Sequence, residues 1–385
     1  MSYVTLPGRV GYHRSMHCFR AVVFLVLTAF YGNAQTRQTR NIILITSDGL
    51  RWQELFSGID PLLKDQKSAG MEEAADLRVK LWKPSAEERR TALMPFFWGT
   101  FATKGVVLGN VGRQSSVQVK NGFRVSYPGY SEILTGRARD EIIKGNDPIQ
   151  NPTPTVLEFL RRKLGLSARQ VALFGSWDMF HFIGESRPGS VFINSGYENV
   201  EAGASPRLRE LNGLQFQMLT PERSVRHDYV TFEMALEYLR TEKPRVLHIA
   251  FGETDDWAHA RRYDRVLDSI GYVDRSLGQL WEFINSSRDY RGATTIILTA
   301  DHGRGSTLED WHSHGDKVPE ARQIWIAIAG PDTPPVGEAV NTPEAFQRDI
   351  APTMLDLLGI DYREYEGVEG KPIALARAQA SGGSQ

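Results

Sequence analysis

Two good metal-ligating side chains stand together at Asp301-His302, directly after the apolar run TTIILT (Thr294–Thr299) and Ala300. Two other apolar runs end in a similar way. NIILIT (Asn41–Thr46) is followed by Ser47-Asp48-Gly49, and RVLHIAF (Arg245–Phe251) by Gly252-Glu253-Thr254-Asp255-Asp256-Trp257-Ala258-His259. One acid after a strand is an ordinary helix cap. Three such ends, two with histidine, are hard to explain as caps. Asp255 and His259 are four residues apart, so a helix there would put both on one face; the competing reading is a cap and a surface histidine. Trp311-His312-Ser313-His314-Gly315 offers one further ligand. Carboxylates and imidazoles without thiolates suit zinc or manganese in a hydrolytic site, whereas calcium prefers oxygen ligands alone.

A nucleophile would have to come from another segment, and RVSYPGYSEILTG (Arg124–Gly136) supplies one. Ser126 precedes Tyr127-Pro128-Gly129, read as a turn that exposes its hydroxyl, while Ser131 and Thr135 read as helix-face or capping hydroxyls. A serine hydroxyl is a poor nucleophile until deprotonated, which a bound dication can achieve. Gly303 and Gly305 would keep the turn after Asp301-His302 open, with Arg304 between them a candidate substrate contact.

The elements that must position these residues follow from the apolar patterning. Strands are expected at Asn41–Thr46, Val106–Leu108, Gln170–Phe174, Ser190–Ile193, Arg245–Phe251, Thr294–Thr299 and Gln323–Ala329. They lack strict alternation, as strands covered on both faces do. Helices are expected at Thr91–Lys104, Thr155–Leu164, Tyr229–Thr241, Tyr263–Ser286 and Asp349–Leu358. Alternating strands and helices imply a mostly parallel sheet between helical layers, and such sheets bind ligands beyond their strands' carboxyl ends. No Gly/Ser-rich linker divides the chain, so residues 35–373 read as a single domain. Residues 51–90 and 195–228 read as lid-like insertions, and 374–385 as a flexible tail.

The 385 residues carry a formal net charge of -1, which gives no reason to expect nucleic acid as a partner. Arg14, His17 and Arg20 precede the apolar run 21–32, followed by Asn33-Ala34-Gln35. This is a signal-peptide pattern over residues 1–34, with Met16 a second possible start. The run is short for a membrane span, so export to a bacterial periplasm or medium is expected, with no membrane association after cleavage; an uncleaved anchor is the alternative. The single cysteine, Cys18, lies in that segment, so a processed chain would have neither disulfides nor thiolate ligands. Nothing in the pattern fixes an oligomeric state.

In register along the chain, these segments resemble the alkaline phosphatase superfamily, notably its type I phosphodiesterase/nucleotide pyrophosphatase and sulfatase-like branches. The resemblance rests on ILITSDGLR, MPFFWGTFATKGVVLGNV, SYPGYSEILTG, GETDDWAH, TADHG, HSHGD and DIAPTMLDLLGI. It implies a three-layer α/β/α sandwich and two divalent metal ions, zinc first and manganese second. Asp255, His259 and His314 would hold one ion, with Gly315 favouring His314 over His312. Asp48, Asp301 and His302 would hold the other, which would also bind the Ser126 oxygen. Asn146 would steady a phosphoryl oxygen. Arg304 and Asn110 would contact a small-molecule phosphate ester, with Tyr130, Trp177, Trp52 and Phe97 as apolar walls, although core packing is the stronger reading of each aromatic.

The expected reaction is phosphate-ester hydrolysis, of a diester or a monoester. Phosphoryl transfer to an alcohol (a mutase), sulfatase-type hydrolysis and a non-catalytic metal-containing binding protein are the alternatives. Against the sulfatase pattern, Tyr130 stands where an arginine is required, and Asp48-Gly49 replaces paired aspartates. Gly129-Tyr130 also replaces the Asn-His of the phosphodiesterase branch.

Overall fold

The computed structural model describes residues 1–8, 11, 37–201, 204–218 and 220–375; most of the expected signal peptide and most of the tail lie outside the described residues. Residues from Arg37 onward form one compact body. No helix among the described residues is long and apolar enough to cross a membrane.

Eleven strands occur among the described residues: β1 (Asn41–Ser47), β2 (Gly105–Leu108), β3 (Val117–Gln118), β4 (Val171–Gly175), β5 (Phe192–Ser195), β6 (Val246–Phe251), β7 (Thr294–Thr299), β8 (Gln323–Ile324), β9 (Ile326–Ala329), β10 (Gly337–Glu338) and β11 (Ala345–Phe346). Eight form the main sheet in the order β10-β2-β9-β7-β1-β6-β4-β5, and β11-β3-β8 form a small second sheet. Only β9 runs against the others in the main sheet. Along β1, Ile43 and Ile45 enter one core while Ile42 and Leu44 enter the other. Helices Asp228–Thr241 and Tyr263–Ser286 cover the first face; Ser126–Thr135, Val156–Lys163 and Ile350–Leu357 cover the second. The expected α/β/α sandwich is therefore present, and its doubly covered strands explain the continuous apolar runs.

Three expectations meet local differences. Gln323–Ala329 divides at Trp325, whose carbonyl accepts from Thr299 Oγ1 (2.6 Å) and whose indole donates to the Leu50 carbonyl (3.0 Å), so β8 leaves for the small sheet. Thr91–Lys104 is not one helix. Helix Ala86–Leu93 ends before Pro95, and the chain restarts with the Phe96 and Phe97 amides donating to the Asp274 carboxylate. Residues 51–93 carry three short α-helices, with Leu55, Phe56, Leu81 and Leu93 buried in the core.

The arrangement that matters for the site is in the middle of the sheet. β7, β1 and β6 are neighbours in level register, Thr46 opposite Thr299 and Ser47 opposite Phe251. Their carboxyl ends therefore release Asp48, Asp301-His302 and the helix Glu253–His259 at one edge.

Candidate metal centre

The six acids and histidines converge. Ligand atoms of Asp48, Asp301 and His302 lie within 4.8 Å of one another, as do those of Asp255, His302 and His314. His302 Nε2 stands between the two groups but nearer the first: 3.3 Å from Asp48 Oδ1 and 3.5 Å from Asp301 Oδ2, against 3.8 Å from Asp255 Oδ1. The second set is completed by His259, whose Nε2 is 3.0 Å from both Asp255 Oδ2 and His314 Nε2. Asp255 and His259 do lie on one face of a short helix, Glu253–His259.

Of the two neighbouring histidines, His314 is the one that faces the cluster. Its Nδ1 donates to the Arg124 carbonyl (3.0 Å), which leaves the Nε2 lone pair facing the site; His302 is set in the same way by the Gly303 carbonyl (3.0 Å). The His312 ring turns to Ser313 Oγ and stands edge-on to Trp311. The sets differ in access. Asp301 and His302 are fully buried, whereas the His259 side chain is 48% exposed.

Burial and mutual charge shift the ionisable groups of the cluster strongly. Burial, then the Asp48 charge, pushes Asp301 well above the usual carboxylate range. Burial opposes a charge on His302, but Asp301 and Asp48 outweigh it and raise the imidazole to about 9. Burial and repulsion from His302 and Arg304 push His314 far down. Asp301 Oδ2 is buried without a hydrogen-bond partner. Lone pairs aimed inward, three carboxylates and three imidazoles fit divalent cations of the zinc or manganese type.

Ser126 Oγ lies 3.4 Å from both Asp48 Oδ1 and His302 Nε2. Its segment is not the expected exposed turn. SYPGYSEILT is itself the helix Ser126–Thr135, with buried Ser126 as its first residue. Pro128 fits because the first turn needs no donor at that amide. Gly129 is required by close approach, since a Cβ there would lie 2.3 Å from the Asp301 carbonyl oxygen. Gly303 likewise serves close approach rather than an open turn, a Cβ there meeting the Gln323 carbonyl at 2.3 Å.

The remaining expected contacts are placed differently. Asn146 Oδ1 accepts from the Tyr127 amide (2.9 Å), which ties its side chain to the residue next to Ser126. Tyr130 is buried and donates to Asp48 Oδ2 (3.2 Å), so it is tied to the cluster and does not form an exposed wall. Arg304 is buried on Asp255, with a further bond to the His312 carbonyl; it neutralises a ligand carboxylate and is not turned to solvent for substrate. Asn110 bonds Glu338 and accepts from the Gly112 amide (3.0 Å), a turn cap at the β2–β10 edge. Trp177 bridges to Val225 and packs against the second core, and Phe97 lies in the first. Trp52 is half-buried, its ring 6.5 Å from Phe56.

Three supporting residues escape the sequence reading. Thr254 Oγ1 donates to the Asp48 carbonyl (2.5 Å), Gln347 Nε2 donates to the Asp301 carbonyl (2.5 Å), and the Gly49 amide donates to Asp301 Oδ1 (2.9 Å). Thr254 and Gly49 sit inside the ligand motifs; Gln347 precedes the closing helix and carries no signal of its own.

A model described as the metalloenzyme superfamily matches residues 218–362, which include Asp255, His259, Asp301, His302 and His314. Similar curated proteins include the 2,3-bisphosphoglycerate-independent phosphoglycerate mutase of Haloarcula marismortui, 27% identical over 173 residues, covering 44% of this chain and 31% of the relative. That of Halobacterium salinarum is 33% identical over 132 residues, covering 34% and 24%. The matched part thus spans a third or less of these relatives' length. Among solved structures, a variant of the alkaline phosphatase PafA has a TM-score of 0.57 at 12% identity, covering 88% of this chain and 98% of that one. Phosphonate monoester hydrolase from Silicibacter pomeroyi has a TM-score of 0.53 at 16% identity, covering 90% and 78%. A 2-O GAG sulfatase also has a TM-score of 0.53, at 15% identity, covering 90% and 76%. The chain thus has the fold of these alkaline-phosphatase-like structures, and over residues 218–362, where five of the six converging acids and histidines lie, it is similar to the metalloenzyme superfamily.

Proposed function

We propose that the protein is an exported, metal-dependent hydrolase of phosphate esters in which Ser126 is the nucleophile. The observation that carries this reading is the position of Ser126 Oγ, 3.4 Å from one ligand of each type at the buried set. Asp48, Asp301 and His302 would hold one divalent cation, and Asp255, His259 and His314 the other; zinc is proposed first. When bound, the two cations supply Lewis acidity toward the phosphate oxygens and the attacking hydroxyl.

Ser126 Oγ attacks phosphorus in line, the bond to the leaving alcohol breaks, and a phosphoseryl intermediate forms. Asn146, anchored through its Oδ1, directs its Nδ2 donors to a phosphoryl oxygen. The helix beginning at Ser126 directs its positive end to the same anion. Water entering on the exposed His259 side cleaves the phosphoserine, releases the phosphate and restores the serine. Phosphoryl transfer requires mainly positioning and charge neutralisation, which fits so spare a site.

A second reading is supported by the mutase names of the curated relatives: an alcohol in place of water would accept the phosphoryl group. Nitrophenyl phosphate, a nitrophenyl diester and nitrophenyl sulfate, each assayed with and without chelator, test the proposal. Chelator-sensitive phosphate-ester turnover that disappears in Ser126→Ala is expected. Chelator-resistant turnover or an active alanine variant would overturn it, and transfer to added glycerol exceeding hydrolysis would favour the second reading.

A further inference from the structure

Glu132 lies on the helix that begins at Ser126, fully buried, with its carboxylate bonded to the segment Lys120-Asn121. Both of its oxygens are engaged. The Lys120 amide donates to Oε1 (2.9 Å) and Oε2 (3.0 Å), and Oε2 also accepts from the Asn121 amide (2.8 Å) and Asn121 Nδ2 (2.9 Å). Such a buried carboxylate is retained only where its acceptors are in full use. Burial still pushes it up, to about 7.

The Asn121 side chain passes the constraint on. Its Oδ1 accepts from the Arg124 amide (2.8 Å), and Arg124 has φ +51°, a left-handed conformation that costs a non-glycine residue energy. That conformation turns the Arg124 carbonyl to His314 Nδ1 at 3.0 Å. Two residues later the same segment delivers Ser126. One buried carboxylate thus stands behind both the nucleophile's approach and the tautomer of His314.

We propose that Glu132 is a positioning residue: by clamping 120–124 it holds the Arg124 carbonyl on His314 Nδ1 and so keeps His314 Nε2 free to bind the cation of the open set. This rests on the two-cation reading above, but not on any ester being turned over. Glutamine at 132 would leave one acceptor oxygen and place an NH2 against amide donors, so it is not a silent replacement.

The test is zinc uptake, measured by competition with a chromophoric chelator on the full chain, with thermal unfolding as a control for folding. In Glu132→Gln, zinc at one of two sites should weaken about ten- to a hundredfold while the other stays within threefold of wild type. His314→Ala should weaken the same site, and adding Glu132→Gln to it should cause no further loss. Asn121→Ala, which keeps the carboxylate and removes only the relay, should weaken that site in the same direction, and it decides the matter if Glu132→Gln does not fold. Unchanged zinc affinity in the variant that folds, or an additional loss in the double variant, would overturn the inference while leaving the metal centre intact. A wild-type chain that takes up no zinc would remove both.

Discussion

Tyr130 places a single hydroxyl on Asp48, one of the proposed cation ligands. Its ring packs on Phe180 at 4.7 Å between centroids, and its hydroxyl donates to Asp48 Oδ2. Tyr130→Phe keeps the packing and deletes the bond. Zinc affinity at the buried set should fall roughly tenfold, with a stability loss of about 1 kcal/mol. Chelator competition and thermal unfolding separate the two effects, and an affinity equal to wild type would show that Asp48 needs no such support. The histidine pair gives a second contrast: His314→Ala should lose one cation, whereas His312→Ala should keep both. The convergence of Asp48, Asp255, His259, Asp301 and His302 was legible in the sequence because each stands just after an apolar run; His314 and Ser126 follow no such run and were legible only from their local motifs. Arg304, Tyr130 and Asn110 were legible only as polar or aromatic residues near such motifs. Their partners Asp255, Asp48 and Glu338 come from other segments, which adjacency in sequence does not report.

At the scale of elements, the helix Ser126–Thr135 is fitted to the strand ends with little clearance. Gly129 faces the Asp301 carbonyl, which also accepts from Gln347. Gly129→Ala would force the helix from β7 or drag Asp301 with it. A loss of about 1–3 kcal/mol is expected, the usual cost of overpacking, together with weaker zinc binding at the buried set. Denaturant unfolding and chelator competition would check both, and an alanine variant as stable as wild type would mean that the helix can shift freely. The strands of the central trio were readable because burial on both faces makes them continuously apolar. The break at Trp325 was not, because QIWIAIA is apolar throughout and only the tertiary bonds to Thr299 and Leu50 divide it. The SYPGYS helix was hidden for a related reason: Pro and Gly read as a turn, yet both suit a first helical turn pressed against another backbone.

Across the whole molecule, the face of the sheet covered by the Ser126–Thr135 helix also buries two ionisable groups whose effects on stability oppose each other. His248, in the middle of β6, bonds Thr46 Oγ1 at 3.0 Å and faces the rings of Tyr130 and Phe180; burial lowers its imidazole to about 3. The unfolded chain protonates this histidine near 6.5 and the folded chain does not, so its contribution is intact above 6.5 and is lost as pH falls toward 3. Glu132, raised to about 7, acts in the other direction: its buried charge costs stability above 7, and that cost fades as pH falls toward the ordinary glutamate range. Between about 4.5 and 6.5 the two partly cancel, and below that His248 acts without the offset. Urea unfolding of the chelator-treated protein across pH 4 to 7 should therefore show an acid limb that is flatter in His248→Gln, by about 1.4 kcal/mol per pH unit. The limb should be steeper in Glu132→Gln, where the compensating proton uptake is gone. Parallel limbs in all three proteins would assign the acid sensitivity to the ligand carboxylates and histidines of the metal centre instead.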